Sequence, residues 1–345
     1  MSYLVGCNKS AKMLSDNWNY SEMKQCVIWL TTGAITVGII IKMYDWFKTE
    51  KSYSSETMKG KTVIITGANS GIGKETAREL ARHNAKIILA CRSIKRGTEA
   101  ANEIITTTGN SNVVVKLLDL SSVKSIQTFA RKIIETEERL DVLINNAGIA
   151  GSSEHVLTEE GIELTLASNY FGHYVLTLLL LDLLKQSAPS RIINVSSLMY
   201  KWAKINLEDL NLLNGYRPFI AYNNSKLANI LFTIELSKRL EGTGVTVNSL
   251  HPGLVNTGIM RNKGGLMAMI FKMIFFLFGK SAEEGAQTSI FLAVSKDVEK
   301  ISGKHFEKCK QVQLSSSVNY EFLASKLWDI SKNTYDSIEK QQLQN

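Results

Sequence analysis

The chain has few of the residues that interrupt or cross-link a fold. Only 3 of its 345 residues are proline, which argues against a proline-rich linker between separate domains. The four cysteines are far apart and form no CxxC or Cys/His pattern, which argues against a disulfide framework and a zinc site and favours a reducing compartment. No Lys/Arg-rich run accompanies the net charge of +8, so the charge favours an anionic cofactor or lipid surface over nucleic acid. The cysteines are Cys7, Cys26, Cys91 and Cys309.

One long apolar run stands near the N-terminus. Residues 26–41 (CVIWLTTGAITVGIII) carry no charge, and the apolar character continues past Lys42 to Phe47. A cleaved signal peptide is disfavoured because about 25 residues precede the run, and a core helix because the run lies outside the domain described next. The sequence therefore predicts a transmembrane anchor over residues 26–47, after an N-terminal segment over residues 1–25. Three lysines precede the run and five follow within twenty residues, which favours a cytosolic C-terminal domain.

From Lys61 onward, short β-branched runs alternate with longer amphipathic runs. Such alternation, with strands that are apolar on both faces, is typical of a parallel sheet covered by helices on both sides. We therefore predict one Rossmann-type, doubly wound α/β domain over residues 58–310, followed by a helical tail over residues 311–345. The predicted strands are 61–66, 86–91, 113–118, 141–145, 191–195 and 245–250, and the predicted helices are 72–83, 95–107, 122–138, 160–185, 220–241 and 281–295.

A glycine-rich turn joins the first predicted strand to the following helix. The stretch TGANSGIG runs from Thr66 to Gly73, with glycine also at positions 67 and 71. Glycines there let the backbone turn sharply and approach a pyrophosphate, which the N-terminus of the following helix can hold. Any tight strand-to-helix turn can use glycine, but a position at the opening of a βαβ unit indicates dinucleotide binding.

The end of the second predicted strand selects between the two nicotinamide dinucleotides. An NAD site places a carboxylate there for the ribose 2′-hydroxyl, whereas a 2′-phosphate needs a cation. The chain reads ILACRSIKR, with Arg92 at the strand end and no acidic residue before Glu99. This arrangement predicts NADP(H), unless Arg92 is an ordinary solvated charge. Asp119, at the end of the third strand, is predicted to bond the adenine amino group, to cap the next helix, or both.

One helical stretch, AYNNSKLANIL, combines a tyrosine with a lysine. Tyr222 and Lys226 stand four residues apart and share one face of the helix. A surface Tyr–Lys contact competes with a proton donor whose phenol pKa is lowered by the neighbouring cation. Hydride addition to a carbonyl builds negative charge on the oxygen, which a prealigned pair of hydroxyls can stabilise and protonate. Ser197 is the candidate second hydroxyl, although it also fits a strand-end turn, and no metal site is predicted.

Together these motifs resemble the short-chain dehydrogenase/reductase family over about residues 60–310. Within that family, TGANSGIGKE, ACRS, NVSS, SKLANILFT, GVTVNSLHPG and the tail's KLWDIS resemble the membrane-anchored retinol dehydrogenases. The interval of 25 positions between Ser197 and Tyr222 supports that subgroup, whereas the long N-terminal extension departs from it. The motifs beside the glycine-rich turn are NNAG at 145–148, NVSS at 194–197, YxxxK at 222–226 and HPGLVNT at 251–257.

The resemblance implies a role for each motif residue. Tyr222 is expected to be the general acid/base, Lys226 to lower its pKa and bind the nicotinamide ribose, and Ser197 to hold the substrate carbonyl. Asn169, in LASNYFGHY, is expected to hold a water that links Lys226 to solvent, unless it is only structural. Thr257 is expected to meet the carboxamide end of the cofactor. The whole set expected at NADP(H) is Gly67, Asn69, Ser70, Gly71, Ile72, Gly73, Arg92, Asp119, Asn146, Ala147, Gly148, Tyr222, Lys226 and Thr257.

The segment after the sixth predicted strand points to the substrate. Residues 264–280 (GGLMAMIFKMIFFLFGK) hold one charge, Lys272, between Gly265 and Gly279, at the edge of the sheet where substrate binds in this fold. A helix packed into the core competes with a membrane-interface helix over residues 266–278, which we favour. The predicted substrate is a lipophilic alcohol or its aldehyde or ketone, with retinol/retinal first and a steroid or fatty aldehyde next.

The expected setting and the alternatives complete the prediction. We expect membrane lipid as a partner, no nucleic acid, and a homodimer as the candidate assembly. The expected location is the membrane of the endoplasmic reticulum, with a single pass and the catalytic domain in the cytosol. A catalytically idle membrane scaffold is a less favoured alternative, as is an NADP-dependent epimerase or dehydratase, because the chain is too short for the larger substrate domain of that group.

Overall fold

The computed structural model describes residues 20–48, 56–255 and 279–344, which belong to two units. The described part of the first unit is one helix, Tyr20–Lys48. The second unit contains the sheet and the remaining helices. Thr257 and the predicted interface helix over residues 266–278 lie outside the described residues.

The N-terminal helix is rich in exposed apolar side chains, among them Trp29 and Leu30. Its threonine hydroxyls are satisfied inside the helix: Thr32 and Thr36 each donate to a carbonyl one turn earlier. In the part of the chain that the structure describes, no helix is both long and apolar enough to cross a membrane. The transmembrane anchor predicted over residues 26–47 is therefore not confirmed.

The second unit is built on an eight-stranded sheet with the order β3-β2-β1-β4-β5-β6-β7-β8. All neighbouring strands are parallel except β7 and β8. The chain winds outward from β1 in one direction and then, from β4, in the other, which confirms the predicted doubly wound α/β fold and its first six strands. The strands are β1 Thr62–Thr66, β2 Lys86–Cys91, β3 Val113–Leu117, β4 Val142–Asn145, β5 Ser190–Val195, β6 Val245–His251, β7 His305–Glu307 and β8 Lys310–Val312.

Helices cover both faces of this sheet, and a separate apolar cluster fills each side. Val63 and Ile65 point into one cluster, whereas Ile64, between them, points into the other, as the two-residue period of a strand requires. Each such fully buried side chain stabilises the fold by about 1.5–3 kcal/mol. The first face carries Gly71–Arg82, Ile94–Thr108 and Ala282–Val294; the second carries Val123–Thr136, Gly172–Leu179, Pro218–Arg239 and Tyr320–Gln344.

The last two strands form a hairpin that the sequence pattern does not reveal. Each strand has three residues, which is too short for an alternating pattern to be recognised. Lys308 and Cys309, between the strands, both have left-handed backbone angles, with φ of 49° and 60°. Two-residue hairpin turns of this kind usually carry Asn-Gly or Asp-Gly, so the turn also lacks its usual sequence signal.

The C-terminal helix, Tyr320–Gln344, packs into the same core as the rest of the second unit. Leu327 and Trp328 are buried against the helix Pro218–Arg239. The Arg239 guanidinium lies over the Trp328 ring, 4.3 Å from its centre, in cation–π geometry. The tail thereby supports the back of the helix that carries Tyr222 and Lys226.

Candidate active site

The carboxyl ends of β1, β4 and β5 lie side by side, where the winding of the sheet reverses. Ligands of open α/β sheets bind in the crevice at such a point. Beneath it, the Asn145 amide donates to Asn194 Oδ1 at 2.8 Å, and the Asn194 amide donates to Thr233 Oγ1 at 2.9 Å. These buried bonds join β4, β5 and the helix Pro218–Arg239, so the helix has a fixed position relative to the strand ends.

The glycine-rich turn packs directly on the NNAG segment at the end of β4. Gly67 and Gly71 adopt left-handed φ angles of 67° and 58°, which side chains rarely tolerate. A Cβ on Gly67 would stand 2.9 Å from Ala147 Cα, and one on Gly73 would clash with the Asn146 amide. The turn therefore requires glycine both for its backbone angles and for its close approach to the next strand.

The helix that follows this turn, Gly71–Arg82, has no side-chain cap at its N-terminus. Ser70 occupies the N-cap position, but its side chain accepts no hydrogen bond from the first turn among the described residues. The helices Ile94–Thr108, Val123–Thr136 and Ala282–Val294 also begin after a serine, and there the serine side chain does accept such a bond. The open N–H groups and the glycine cradle fit the pyrophosphate of a dinucleotide.

The end of β2 brings Arg92 to the edge of the glycine-rich turn. Gly67 N–H donates to the Ala90 carbonyl at 2.8 Å, and the backbone N–H groups of Ala68 and Asn69 are near enough to lower the pKa of the Cys91 thiol. Burial nevertheless raises the pKa of Cys91 to about 11, so the thiol is neutral. Arg92 follows at once and is exposed, as a cation that meets a ribose phosphate must be.

Asp119 is engaged with its own turn. Its Oδ1 accepts the Ser121 backbone N–H at 3.0 Å and the Ser121 hydroxyl at 2.6 Å. The cap of the next helix is Ser122, whose side chain accepts the Ser125 N–H. The helix-capping role predicted for Asp119 therefore belongs to Ser122, and the adenine contact stays a prediction.

Ser197 and Tyr222 are brought together although 25 positions separate them. Ser197 stands just beyond β5, Tyr222 stands on the first turns of Pro218–Arg239, and the Ser197 hydroxyl is near enough to act on the pKa of the Tyr222 phenol. Burial raises the pKa of Tyr222, and the neighbouring Ser197 hydroxyl opposes that rise only in part. The phenol is thus protonated at neutral pH and can donate a proton.

The segment between these two hydroxyls is held in part by Asn211. Asn211 Oδ1 accepts the Glu163 backbone N–H at 3.0 Å, and its Nδ2 donates to the Gly161 carbonyl at 3.0 Å. The long interval between Ser197 and Tyr222 is therefore accommodated in a loop fixed to the segment before Leu164–Leu166.

Lys226 is buried one turn after Tyr222. Its Nζ donates to the Val195 carbonyl at 3.1 Å and lies 5.8 Å from the centre of the Tyr222 ring. Burial lowers the pKa of Lys226 to about 8, which leaves it largely charged at neutral pH. The structure differs from the prediction that Lys226 lowers the Tyr222 pKa: the ammonium is directed at a carbonyl, and burial dominates at the phenol.

Asn169 lies in a π-helical turn, Ala167–Phe171, a local widening that is frequent at functional sites. Its Oδ1 accepts the Ile149 N–H at 2.8 Å, and its Nδ2 donates to the Ile149 carbonyl and to Ser225 Oγ, each at 3.0 Å. Ser225 in turn donates to the Tyr222 carbonyl at 2.7 Å. The Asn169 side chain therefore holds the loop after β4 against the helix Pro218–Arg239. The water relay stays a prediction.

Gly148, the last residue of the NNAG segment, lies beside Lys226 and Asn169. A Cβ at this position would lie 3.2 Å from Lys226 Nζ and 3.4 Å from Asn169 Oδ1. The NNAG segment therefore passes directly over both side chains. The structure thus places Ser197, Tyr222, Lys226 and Asn169 in one region, next to the glycine-rich turn.

The comparison with known proteins agrees with this geometry. A family profile for short chain dehydrogenases matches residues 61–265, more than half of the chain. The chain belongs to the short-chain dehydrogenase family. Retinol dehydrogenase 14 of Mus musculus is 49% identical over 287 residues, which cover 80% of this chain and 86% of the mouse protein.

Solved structures show the same relationship. A crystal structure of an uncharacterized protein from Mycobacterium paratuberculosis is 33% identical, with a TM-score of 0.64, and covers 81% of this chain and 94% of that one. The Pseudomonas aeruginosa RhlG/NADP active-site complex is 25% identical, with a TM-score of 0.59, and covers 72% of this chain and 95% of that one. As a short-chain dehydrogenase that resembles the retinol dehydrogenases, the chain is an NAD(P)-dependent oxidoreductase that acts on alcohol groups.

Two residues of this dehydrogenase site were not identified from the sequence. Thr66 Oγ1 accepts the backbone N–H groups of Asn146 and Ala147, each at 2.9 Å, and lies 2.8 Å from His173 Nε2. The available signals were the position of Thr66 at the start of the glycine motif and a histidine four residues after Asn169. Neither signal reveals that the two side chains meet.

Proposed function

We propose that this dehydrogenase interconverts a lipophilic alcohol and its aldehyde or ketone with NADP(H). Among such substrates, we favour the pair retinol and retinal. The observation that carries the chemistry is the meeting of Ser197 and Tyr222, 25 positions apart in sequence, beside buried, charged Lys226. The substrate class is supported by the 49% identity to retinol dehydrogenase 14 of Mus musculus.

The side chains divide the chemistry of carbonyl reduction among them. Bound NADPH supplies the hydride. Tyr222, protonated because burial raises its pKa, donates the proton that the carbonyl oxygen needs as negative charge builds there. Ser197 donates a second hydrogen bond to that oxygen. Lys226, whose Nζ is held at the Val195 carbonyl, binds the nicotinamide ribose.

The preference for NADP(H) over NAD(H) is supported by charge at the end of β2. Arg92 is exposed beside the glycine-rich turn, and Lys95 and Arg96 follow it. An arginine there matches a 2′-phosphate, whereas NAD sites use a carboxylate. The structural likeness to the RhlG/NADP complex points in the same direction.

A substrate panel tests the proposed substrate. We expect the purified full-length protein in detergent to reduce all-trans-retinal with NADPH at a higher kcat/KM than a steroid ketone or a long-chain aliphatic aldehyde. Reactions without cofactor provide the background. A steroid or fatty aldehyde as the best substrate would replace retinal with the second candidate class. Bound NADPH with no turnover of any carbonyl would contradict the proposed activity and favour a scaffold.

We also propose that the chain is attached to a membrane of the endoplasmic reticulum, with its catalytic unit in the cytosol. The support is the exposed apolar surface of Tyr20–Lys48, including Leu30, Val37 and Ile40. We expect the wild-type chain to sediment with microsomes and the triple change of these three residues to aspartate to release it, because three charges oppose burial in lipid. Thr36→Ser is the control. Recovery of the wild-type chain in the supernatant would contradict the proposal.

A further inference from the structure

A fully buried histidine joins the two halves of the site. His173 is the second residue of the helix Gly172–Leu179, directly after the π-helical turn that contains Asn169. Its Nε2 lies 2.8 Å from Thr66 Oγ1, and its Nδ1 lies 3.0 Å from the Asn169 carbonyl oxygen. Both ring nitrogens therefore have a partner, one at the end of β1 and one in the π turn.

The partner at Nδ1 determines the tautomer of the ring. The Asn169 carbonyl oxygen can only accept a hydrogen bond, so Nδ1 of His173 must carry the proton. Burial, with a smaller contribution from the charge of Lys226, lowers the pKa of His173 to about 3, so the ring is neutral and Nε2 is unprotonated. His173 thus donates to the π turn and has a lone pair free for Thr66.

The hydrogen bonds of Thr66 are consistent with this tautomer. Its oxygen already accepts two N–H groups, from Asn146 and Ala147, at 2.9 Å each. Its own proton is therefore free to be donated, and His173 Nε2 at 2.8 Å is closer than the other acceptor, the Ile144 carbonyl at 3.5 Å. The direction of donation runs from the NNAG backbone through Thr66 and the histidine to the π turn.

This chain of bonds links the cofactor side to the catalytic side. Thr66 precedes Gly67, where the glycine-rich turn begins, and it holds the NNAG backbone. Asn169 holds the Ile149 backbone and, through Ser225, the first turns of the helix that bears Tyr222. Besides the backbone from Ala147 to Ile149, which both arms hold, the imidazole joins the two arms among the contacts that the described residues make here.

We propose that His173 is a positioning residue, which as the neutral Nδ1–H imidazole fixes the Asn169 π turn relative to the glycine-rich turn and so aligns the proton donor with the cofactor. This role rests on the proposed NADP(H)-dependent reaction. It requires no proton transfer through the ring, because both nitrogens are committed to fixed partners. Its two bonds should therefore affect different steps. Loss of the Thr66 bond should weaken cofactor binding, whereas loss of the Asn169 bond should slow turnover.

Two substitutions separate the bonds. Asparagine places an amide where Nδ1 stands, so His173→Asn keeps the bond to the Asn169 carbonyl and loses the bond to Thr66. Glutamine places its amide where Nε2 stands, so His173→Gln keeps the Thr66 bond and loses the other. We expect His173→Asn to raise the Kd for NADPH by about 3- to 10-fold, the effect of one hydrogen bond, with kcat at saturation close to wild type.

The glutamine variant should give the opposite pattern. We expect His173→Gln to bind NADPH as wild type does but to lose about 10- to 100-fold in kcat, the effect of a small misplacement of reacting groups. His155→Gln, a change of an exposed histidine elsewhere, is the matched control. If both variants lost activity only in proportion to the folded fraction, with kcat and Kd per folded molecule unchanged, His173 would be merely structural and the proposal would be wrong.

A measurement on the wild-type protein covers the case in which either variant fails to fold. ¹⁵N-labelled histidine gives distinct ring signals for the two neutral tautomers and for the charged ring. We expect His173 to show the neutral Nδ1–H form at every pH from neutral down to about 5, since its pKa lies far below the usual value near 6.5. A neutral Nε2–H form, or titration in that range, would overturn the assignment. Failure of the retinal assay with an intact Nδ1–H signal and normal NADPH binding would instead count against the proposed substrate.

Discussion

Tyr222→Phe is expected to lower kcat by about 10²- to 10⁴-fold, the usual contribution of a positioned general acid. The change removes only the phenol hydroxyl beside Ser197 and leaves the ring in place. Lys226 keeps its bond to the Val195 carbonyl, because that bond does not involve the phenol. The Kd for NADPH, measured by titration of the purified protein, is therefore expected to stay near the wild-type value.

The control for this variant is Tyr335→Phe, which removes a phenol hydroxyl from the C-terminal helix, a helix that holds none of the predicted site residues. It should leave both kcat and the NADPH Kd unchanged. The catalytic assignment would fail if Tyr222→Phe kept near wild-type turnover. Equal loss of turnover and of cofactor binding would mean that the phenol supports the fold of the site and is not its proton donor.

The fold could be predicted where the local pattern and the final environment agree. The strands β1, β2, β4, β5 and β6 consist of β-branched and apolar runs, and the structure buries them on both faces, so their pattern was visible in the sequence. The strand β3 has a similar apolar run but lies at the edge of the sheet and is partly exposed. The β7–β8 hairpin depends on three-residue strands and on left-handed angles at Lys308 and Cys309, which no local preference favours. Pairing of β7 with the edge of β6 and with β8 defines it.

The residues of the site, like the strands, could be predicted only in part from the sequence. Its glycine turn, Ser197 and the Tyr222–Lys226 pair stand in short motifs, and the structure brings all of them to one edge of the sheet. The network behind them could not be predicted, because Thr66 and His173 are 107 positions apart and meet only once the sheet and the second helical layer have packed. Short motifs reveal the residues that contact ligand more readily than the residues that hold those ligand-contacting side chains in position.

The direction of the Tyr222 pKa shift shows the limit of reasoning from spacing. An i, i+4 lysine predicts a lowered phenol pKa, but that inference assumes that the ammonium points at the ring oxygen. In the folded chain the Lys226 Nζ points at the Val195 carbonyl, and burial of the phenol raises its pKa instead. Which of two effects dominates depends on solvent exclusion, which no sequence pattern measures.

Arg92→Asp is expected to reverse the cofactor preference. It replaces the cation proposed to meet the 2′-phosphate with a carboxylate, which repels that phosphate and can accept a hydrogen bond from the 2′-hydroxyl of NADH. A charge-assisted hydrogen bond contributes about 1.5–3 kcal/mol, so the Kd for NADPH should rise by about 10- to 100-fold. The Kd for NADH should fall or stay constant, and kcat with saturating cofactor should change little, because Arg92 follows β2, three strands along the sheet from β5 and Ser197.

Arg92 is chosen because it lies beside the glycine-rich turn. The control is an arginine that lies elsewhere in the unit. Arg131, exposed on the helix Val123–Thr136, takes the same charge change in Arg131→Asp and should leave both Kd values unchanged. The comparison separates a local contact from the loss of net positive charge, which would weaken both anionic cofactors in either variant. Equal weakening of NADPH and NADH by Arg92→Asp alone would mean that Arg92 supports the turn and does not read the phosphate, and the proposed NADP(H) preference would lose its main support.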